Sequence, residues 1–217
     1  MNASLAFQRI LIAFFAFIAI LIFVRIYFSG ELNYLFLVWN IFLAWIPYMV
    51  SELFKKMDKK RWWKQAIIFC CWLAFFPNAL YIVTDLIHLE LESNIPKWFD
   101  AVLLFSSSIA GLMMAFISLY RVEKMLQKKI NIRMVSPVII LILFLGSFGV
   151  YMGRFLRWNS WDIISNPVQL VLSVGQKIIF PFDHLQTWGI TMVFTVLFYL
   201  LYFSIKKLPG YLSQANM

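Results

Sequence analysis

Long apolar runs alternate along the chain with short polar connections, and the runs cover residues 10–28, 35–54, 66–83, 98–120, 135–152 and 188–205. About twenty residues rising 1.5 Å each cross the ~30 Å hydrocarbon core of a bilayer. The pattern therefore predicts an all-α integral membrane protein, a bundle of six transmembrane helices forming one membrane domain over residues 1–217. The first run is too long for a signal-peptide h-region and no small-x-small cleavage pattern follows it, so it reads as a retained anchor. Residues 168–180, between Pro167 and Pro181, include Gln176 and Lys177 and are too short to cross. That segment reads as a helix lying in the outer interface, with a re-entrant turn as the alternative.

Composition supports the same class. Hydrophobic residues make up 63% of the chain and charged residues 13%, with mean hydropathy +0.82. A soluble domain has roughly 45–50% and about 25%. The net charge of +9 points to topology, not to nucleic acid, because the basic residues gather at the ends of apolar runs. Residues 55–64 carry six positive charges and one negative, residues 121–133 carry five and one, and Lys206 and Lys207 follow the last run. The positive-inside rule places these segments, and both termini, in the cytoplasm. The outer side then holds Arg25, Lys97, Arg154, Arg157 and Lys177, seven acids and both histidines.

The most informative polar stretch is PNALYIVTDLIHLELES, residues 77–93. As an α-helix it sets Asn78, Tyr81, Asp85, His88 and Glu92 on one face, with Thr84 at its border. Polar groups near hydrocarbon cost several kcal/mol unless paired or wetted, so the stripe predicts a bundle interior or aqueous pocket. Pro77 removes the N–H that would bond the carbonyl of Leu73 and permits a kink. The plainer account is a polar helix end that is capped and hydrated.

In YMGRFLRWNSWD, residues 151–162, Arg154 and Arg157 share a face if the fifth helix continues through them. Guanidinium groups suit bidentate contact with carboxylate or phosphate, here an acid such as Asp85 or Asp162, or a lipid phosphate. Trp158 and Trp161 suit the headgroup level. Asp183, ahead of the last run, reads first as its N-cap. Asp85, His88, Asp162, Asp183 and His184 are the types that ligate a divalent metal, but no HExxH or cysteine-rich signature accompanies them. Whether a metal or any other cofactor binds is left open.

PNALYIVTDLIHL and GRFLRWNSWD resemble recurring segments of domain-of-unknown-function family 1361, whose members are bacterial membrane proteins. The resemblance covers most of the chain and implies a multi-pass protein of the bacterial inner membrane, with no established activity. It supports Asn78, Tyr81, Thr84, Asp85, His88, Arg154, Arg157, Asn159 and Asp162 as the patch of interest.

Elsewhere the residues read as structural. Adjacent Cys70 and Cys71 are small hydrophobes. Gly149 with Gly153, and Ser107 with Gly111, are small-xxx-small pairs that suit close helix contacts. Asn40 and Pro47 predict a kink and an interhelical hydrogen bond in the second run. No GxSxG, P-loop or dinucleotide fingerprint is present.

Three function classes remain. The favoured one is an outer-face site for an anionic lipid headgroup or similar amphiphile. Arg154 and Arg157 would hold the anion there, and Asp85 and His88 would be its acid–base pair. The others are an accessory subunit whose polar network is structural, and a small-solute transporter, which the apolar inner halves disfavour.

Overall fold

The computed structural model describes residues 3–56, 62–90 and 94–215, and every regular element among them is helical. The order is α1 (Ala3–Ser29), α2 (Phe36–Lys56), α3 (Trp62–Tyr81), a 3₁₀ helix (Ile82–Glu90), α4 (Lys97–Leu126), α5 (Ile132–Leu156), α6 (Asp162–Ser165), α7 (Pro167–Ile179), a 3₁₀ turn (Pro181–His184) and α8 (Leu185–Ala215). Among the described residues, six helical segments are long and apolar enough to cross a membrane: Leu5–Ser29, Phe36–Phe54, Trp62–Leu89, Lys97–Leu126, Ile132–Leu156 and Pro181–Leu212. Each contains the matching apolar run or all but its first residue. The protein is a multi-pass membrane protein with additional short helices.

The chain forms two compact units, residues 1–118 and 119–217. In the first, Ile18 and Ile22 of α1 pack with Leu37 of α2, Leu103, Leu104 and Ala110 of α4, and Tyr34 from the α1–α2 connection. Outward faces carry Ile12, Ile20, Phe23, Trp39 and Ile67, all exposed. That is how a helix solvated by lipid distributes its apolar residues, since lipid offers no penalty for them. Cys70 and Cys71 are free thiols on this exposed surface, apolar as expected but facing outward.

The α3 helix passes through Pro77 and changes at Ile82 into nine residues of 3₁₀ helix. Runs of this geometry longer than three or four residues are uncommon, and the sequence supplies three causes. Ile82, Val83 and Thr84 are consecutive β-branched residues, stiff against the preceding helical turn. The Thr84 hydroxyl donates to the Tyr81 carbonyl at 2.6 Å. Ser108 Oγ donates to the Ile82 carbonyl at 3.2 Å. Gly111 lets α4 come this near: a Cβ there would sit 2.9 Å from Ile82 Cδ1 and 3.1 Å from the Ala79 carbonyl oxygen. The Ser107–Gly111 pair thus is a close helix contact.

In the second unit α5 packs along α8. Phe144 and Phe148 both stack on Trp188, with ring centroids 6.2 and 5.7 Å apart. The α7 helix has thirteen residues, about 20 Å at 1.5 Å each, too short to span. Val168, Val171, Leu172, Ile178 and Ile179 on it are exposed, while Lys177 is buried.

Candidate functional site

The 3₁₀ helix redraws the polar stripe. With three residues per turn, positions three apart eclipse, so Ile82, Asp85 and His88 share one face. Ile82 and Asp85 are both fully buried and His88 is half-buried, whereas Leu86 and Ile87 on the other faces are exposed. The five-residue α-helical stripe is therefore corrected: Asn78 and Tyr81 belong to α3, and their α-helical register ends before Asp85. Glu92 lies outside the described residues.

Asp85 has a defined partner. Asn40 Nδ2 on α2 donates to Asp85 Oδ2 at 2.8 Å, which is the interhelical bond expected of Asn40. The amide fixes the carboxylate and lowers the cost of burying it. Three residues on, the His88 ring lies against Phe36, with centroids 4.7 Å apart, and its carbonyl accepts from the Tyr34 hydroxyl at 3.0 Å.

Tyr34 joins this segment to an ion pair that sequence reasoning did not single out. Arg25, 1% exposed, grips Asp100 through Nε to Oδ1 at 2.9 Å and Nη2 to Oδ2 at 3.3 Å. Its guanidinium carbon sits 4.0 Å over the Tyr34 ring, within cation–π range. Burial, followed by the nearby Asp100 carboxylate, pushes the Tyr34 phenol up to about 12. The hydroxyl is a neutral donor throughout the physiological range. Arg25 lies inside the first apolar run and Asp100 inside the fourth, and with 75 positions between them the sequence does not display their pairing.

The second candidate stretch lies in the second unit and is built differently from expectation. The α5 helix ends at Leu156, so Arg154 and Arg157 do not continue on one helix face. Arg157 is the C-cap, left-handed at φ 59°, with its N–H on the Met152 carbonyl. A non-glycine residue there is uncommon. Arg154 is half-buried and Arg157 exposed. Asp162 accepts from the Asn159 backbone N–H at 2.7 Å and the Ser165 hydroxyl at 3.0 Å, the work of a turn-closing side chain. Asp183 sits within the 3₁₀ turn Pro181–His184, not at the N-cap of α8. Among the described residues no three His, Cys, Asp or Glu side chains converge as a metal site requires.

A further polar cluster went unread. Glu123, 4% exposed, accepts from the Tyr202 hydroxyl, from Lys206 Nζ and from Gln127 Nε2 at 3.1 Å. Glu123 and Lys206 counted only as loop and tail charges in the sequence. The signal available was Tyr202 followed by Lys206 at helical spacing.

The family model described as "Protein of unknown function (DUF1361)" matches residues 39–201, three quarters of the chain. The chain belongs to this family. No curated protein matches it, nor does any solved structure. The matched region of this DUF1361 member contains Asn40, Asp85, His88 and Asp100, and begins after Arg25 and Tyr34.

Proposed function

We propose that this DUF1361 protein carries a polar site at the outer membrane face of its first unit, which binds or processes an anionic lipid headgroup or similar amphiphile. Its membrane would be the bacterial inner membrane, with both termini cytoplasmic, as the basic segments 55–64 and 121–133 direct. The observation that carries the reading is Asp85. A fully buried carboxylate sits on an unusually long 3₁₀ segment and is aimed by Asn40. A long 3₁₀ stretch often marks a functional hinge or a sequence under strain, and an intramembrane acid marks a functional position by default. Asp85 and His88 are the acid–base candidates, with Asn78, Tyr81 and Thr84 beside them in sequence. Arg154, Arg157, Asn159 and Asp162 stand as separate anion-contact candidates of the second unit.

One observation favours the accessory-subunit reading: Asp85 is bonded to Asn40 and Arg25 to Asp100, as in a purely structural network. Lipid retention separates the two. Purified protein in nanodiscs of mixed phosphatidylglycerol and phosphatidylcholine should keep the anionic lipid through detergent exchange, and Asp85→Asn and His88→Ala should keep much less. Equal retention by wild type and both variants, all folded, would favour the structural network.

A further inference from the structure

Arg25 has one nitrogen that its neighbours leave unused. Nε and Nη2 are engaged by Asp100, while Nη1 is buried with no hydrogen-bond partner. A buried donor without an acceptor is costly, the more so on a charged group. Arg25 also lines a cavity of about 400 Å³, together with Val24 and Phe28 of α1 and with Ile95, Trp98 and Phe99 around the start of α4. That volume lies within the range of small-molecule sites, which pair apolar walls with a few fixed polar groups. Phe28 and Trp98 at its sides are 71% and 67% exposed. An exposed Trp flanking a span, as Trp98 does, is characteristic of the headgroup level.

We infer that this cavity is a docking seat for an amphiphile whose oxyanion, a phosphate ester or a carboxylate, accepts from Arg25 Nη1 while its hydrocarbon lies along Val24, Phe28 and Phe99. The inference rests on the lipid-site reading above and adds to it a seat joined to the Asp85–His88 segment through Tyr34, whose hydroxyl donates to the His88 carbonyl and whose ring lies under the Arg25 guanidinium. The orphaned donor calls for an oxygen, and because Nη1 is itself buried, the side chains around it must part for that oxygen to reach it. The hydrocarbon is required by the walls, where among the described residues Asn94 is the one polar neighbour besides Arg25. Asp100 sets the strength of the seat: it already balances the guanidinium charge, so the seat holds an acceptor by directed hydrogen bonds and does not simply collect anions. Tyr34 beneath the guanidinium keeps the plane of the group fixed. A free inorganic anion would gain the bond but leave the apolar walls uncovered, so the tail is part of recognition.

Native mass spectrometry of the full chain tests this, with dimyristoyl phosphatidic acid, myristate and inorganic phosphate as three separate probes. Wild type should bind both amphiphiles and not phosphate. Val24→Trp fills the cavity without touching the ion pair and should weaken amphiphile binding tenfold or more. Arg25→Met combined with Asp100→Leu removes the donor while keeping the buried volume, and should do the same. Undiminished binding in Val24→Trp overturns the seat, as does equal binding of phosphate alone. If Asp85→Asn loses the lipid while Val24→Trp keeps it, the seat is wrong and the lipid-site reading stands. No amphiphile bound by wild type overturns both.

Discussion

Arg25 and Asp100 meet in a two-point grip, Nε to Oδ1 and Nη2 to Oδ2, although they lie 75 positions apart. The pair ties the end of α1 to the beginning of α4 inside the first unit. Removing one partner of a buried pair strands the other and typically costs about 3–5 kcal/mol, whereas replacing both with apolar residues is often neutral. Arg25→Ala should lower the melting temperature of the detergent-solubilised protein markedly. Arg25→Met with Asp100→Leu should restore most of the loss. A double variant as unstable as the single one would mean the charges themselves are needed.

Tyr34 gives a pH test. Its phenol is raised to about 12 from the ordinary 10, so folding favours the protonated form. That contribution is complete below pH 10 and is lost as pH climbs from 10 toward 12. Ultraviolet titration should show a tyrosine step close to pH 12, and Tyr34→Phe should remove one phenol's amplitude from that step. A titration unchanged by Tyr34→Phe would place the late tyrosine elsewhere.

Gly111 is the contact point of α4 with the α3–3₁₀ junction. Gly111→Leu should destabilise by more than the roughly 1–3 kcal/mol typical of modest overpacking, since the Ala79 carbonyl behind it is backbone. Gly189→Ala is the control. It meets nothing within 4 Å and should gain up to about 1 kcal/mol of helix propensity. Chemical denaturation in detergent reads both.

The fold was legible because lipid imposes it: six apolar runs needed no pairing information to become six helices. The site was legible only in part. Asp85 and His88 stood out as polar groups amid apolar ones, and Asn40 as a lone amide in a span. What failed was periodicity. A 3.6-residue repeat was assumed across Ile82, where three β-branched residues and two hydroxyls drawn to the Tyr81 and Ile82 carbonyls impose three. Whether the fifth helix runs through Arg157 stayed open in the sequence, because Arg157 gives no glycine signal for the left-handed cap that follows Leu156. Buried pairs such as Glu123 with Tyr202, 79 positions apart, are set by helix packing that a single sequence does not display.

That last pair makes its own prediction. Tyr202→Phe removes one of the three donors to Glu123 and should cost about 1–3 kcal/mol, measured by thermal unfolding in detergent. Lys207→Ala, on an exposed side chain, should leave the midpoint within error. Equal effects would mean that Glu123 is hydrated and needs no tyrosine.

The most direct measurement of the central claim is rescue of a deletion strain by Asp85→Asn and His88→Ala, with protein abundance scored in the same cells. A working site at this end of the first unit predicts lost rescue at near-normal abundance, because Asn40 still has an oxygen to donate to in Asp85→Asn while the acid function is gone. Lys→Arg changes at Lys55 and Lys64 should rescue fully, since an anchoring charge needs no fixed geometry. Full rescue by both Asp85→Asn and His88→Ala would contradict the claim and leave the polar layer as structure alone.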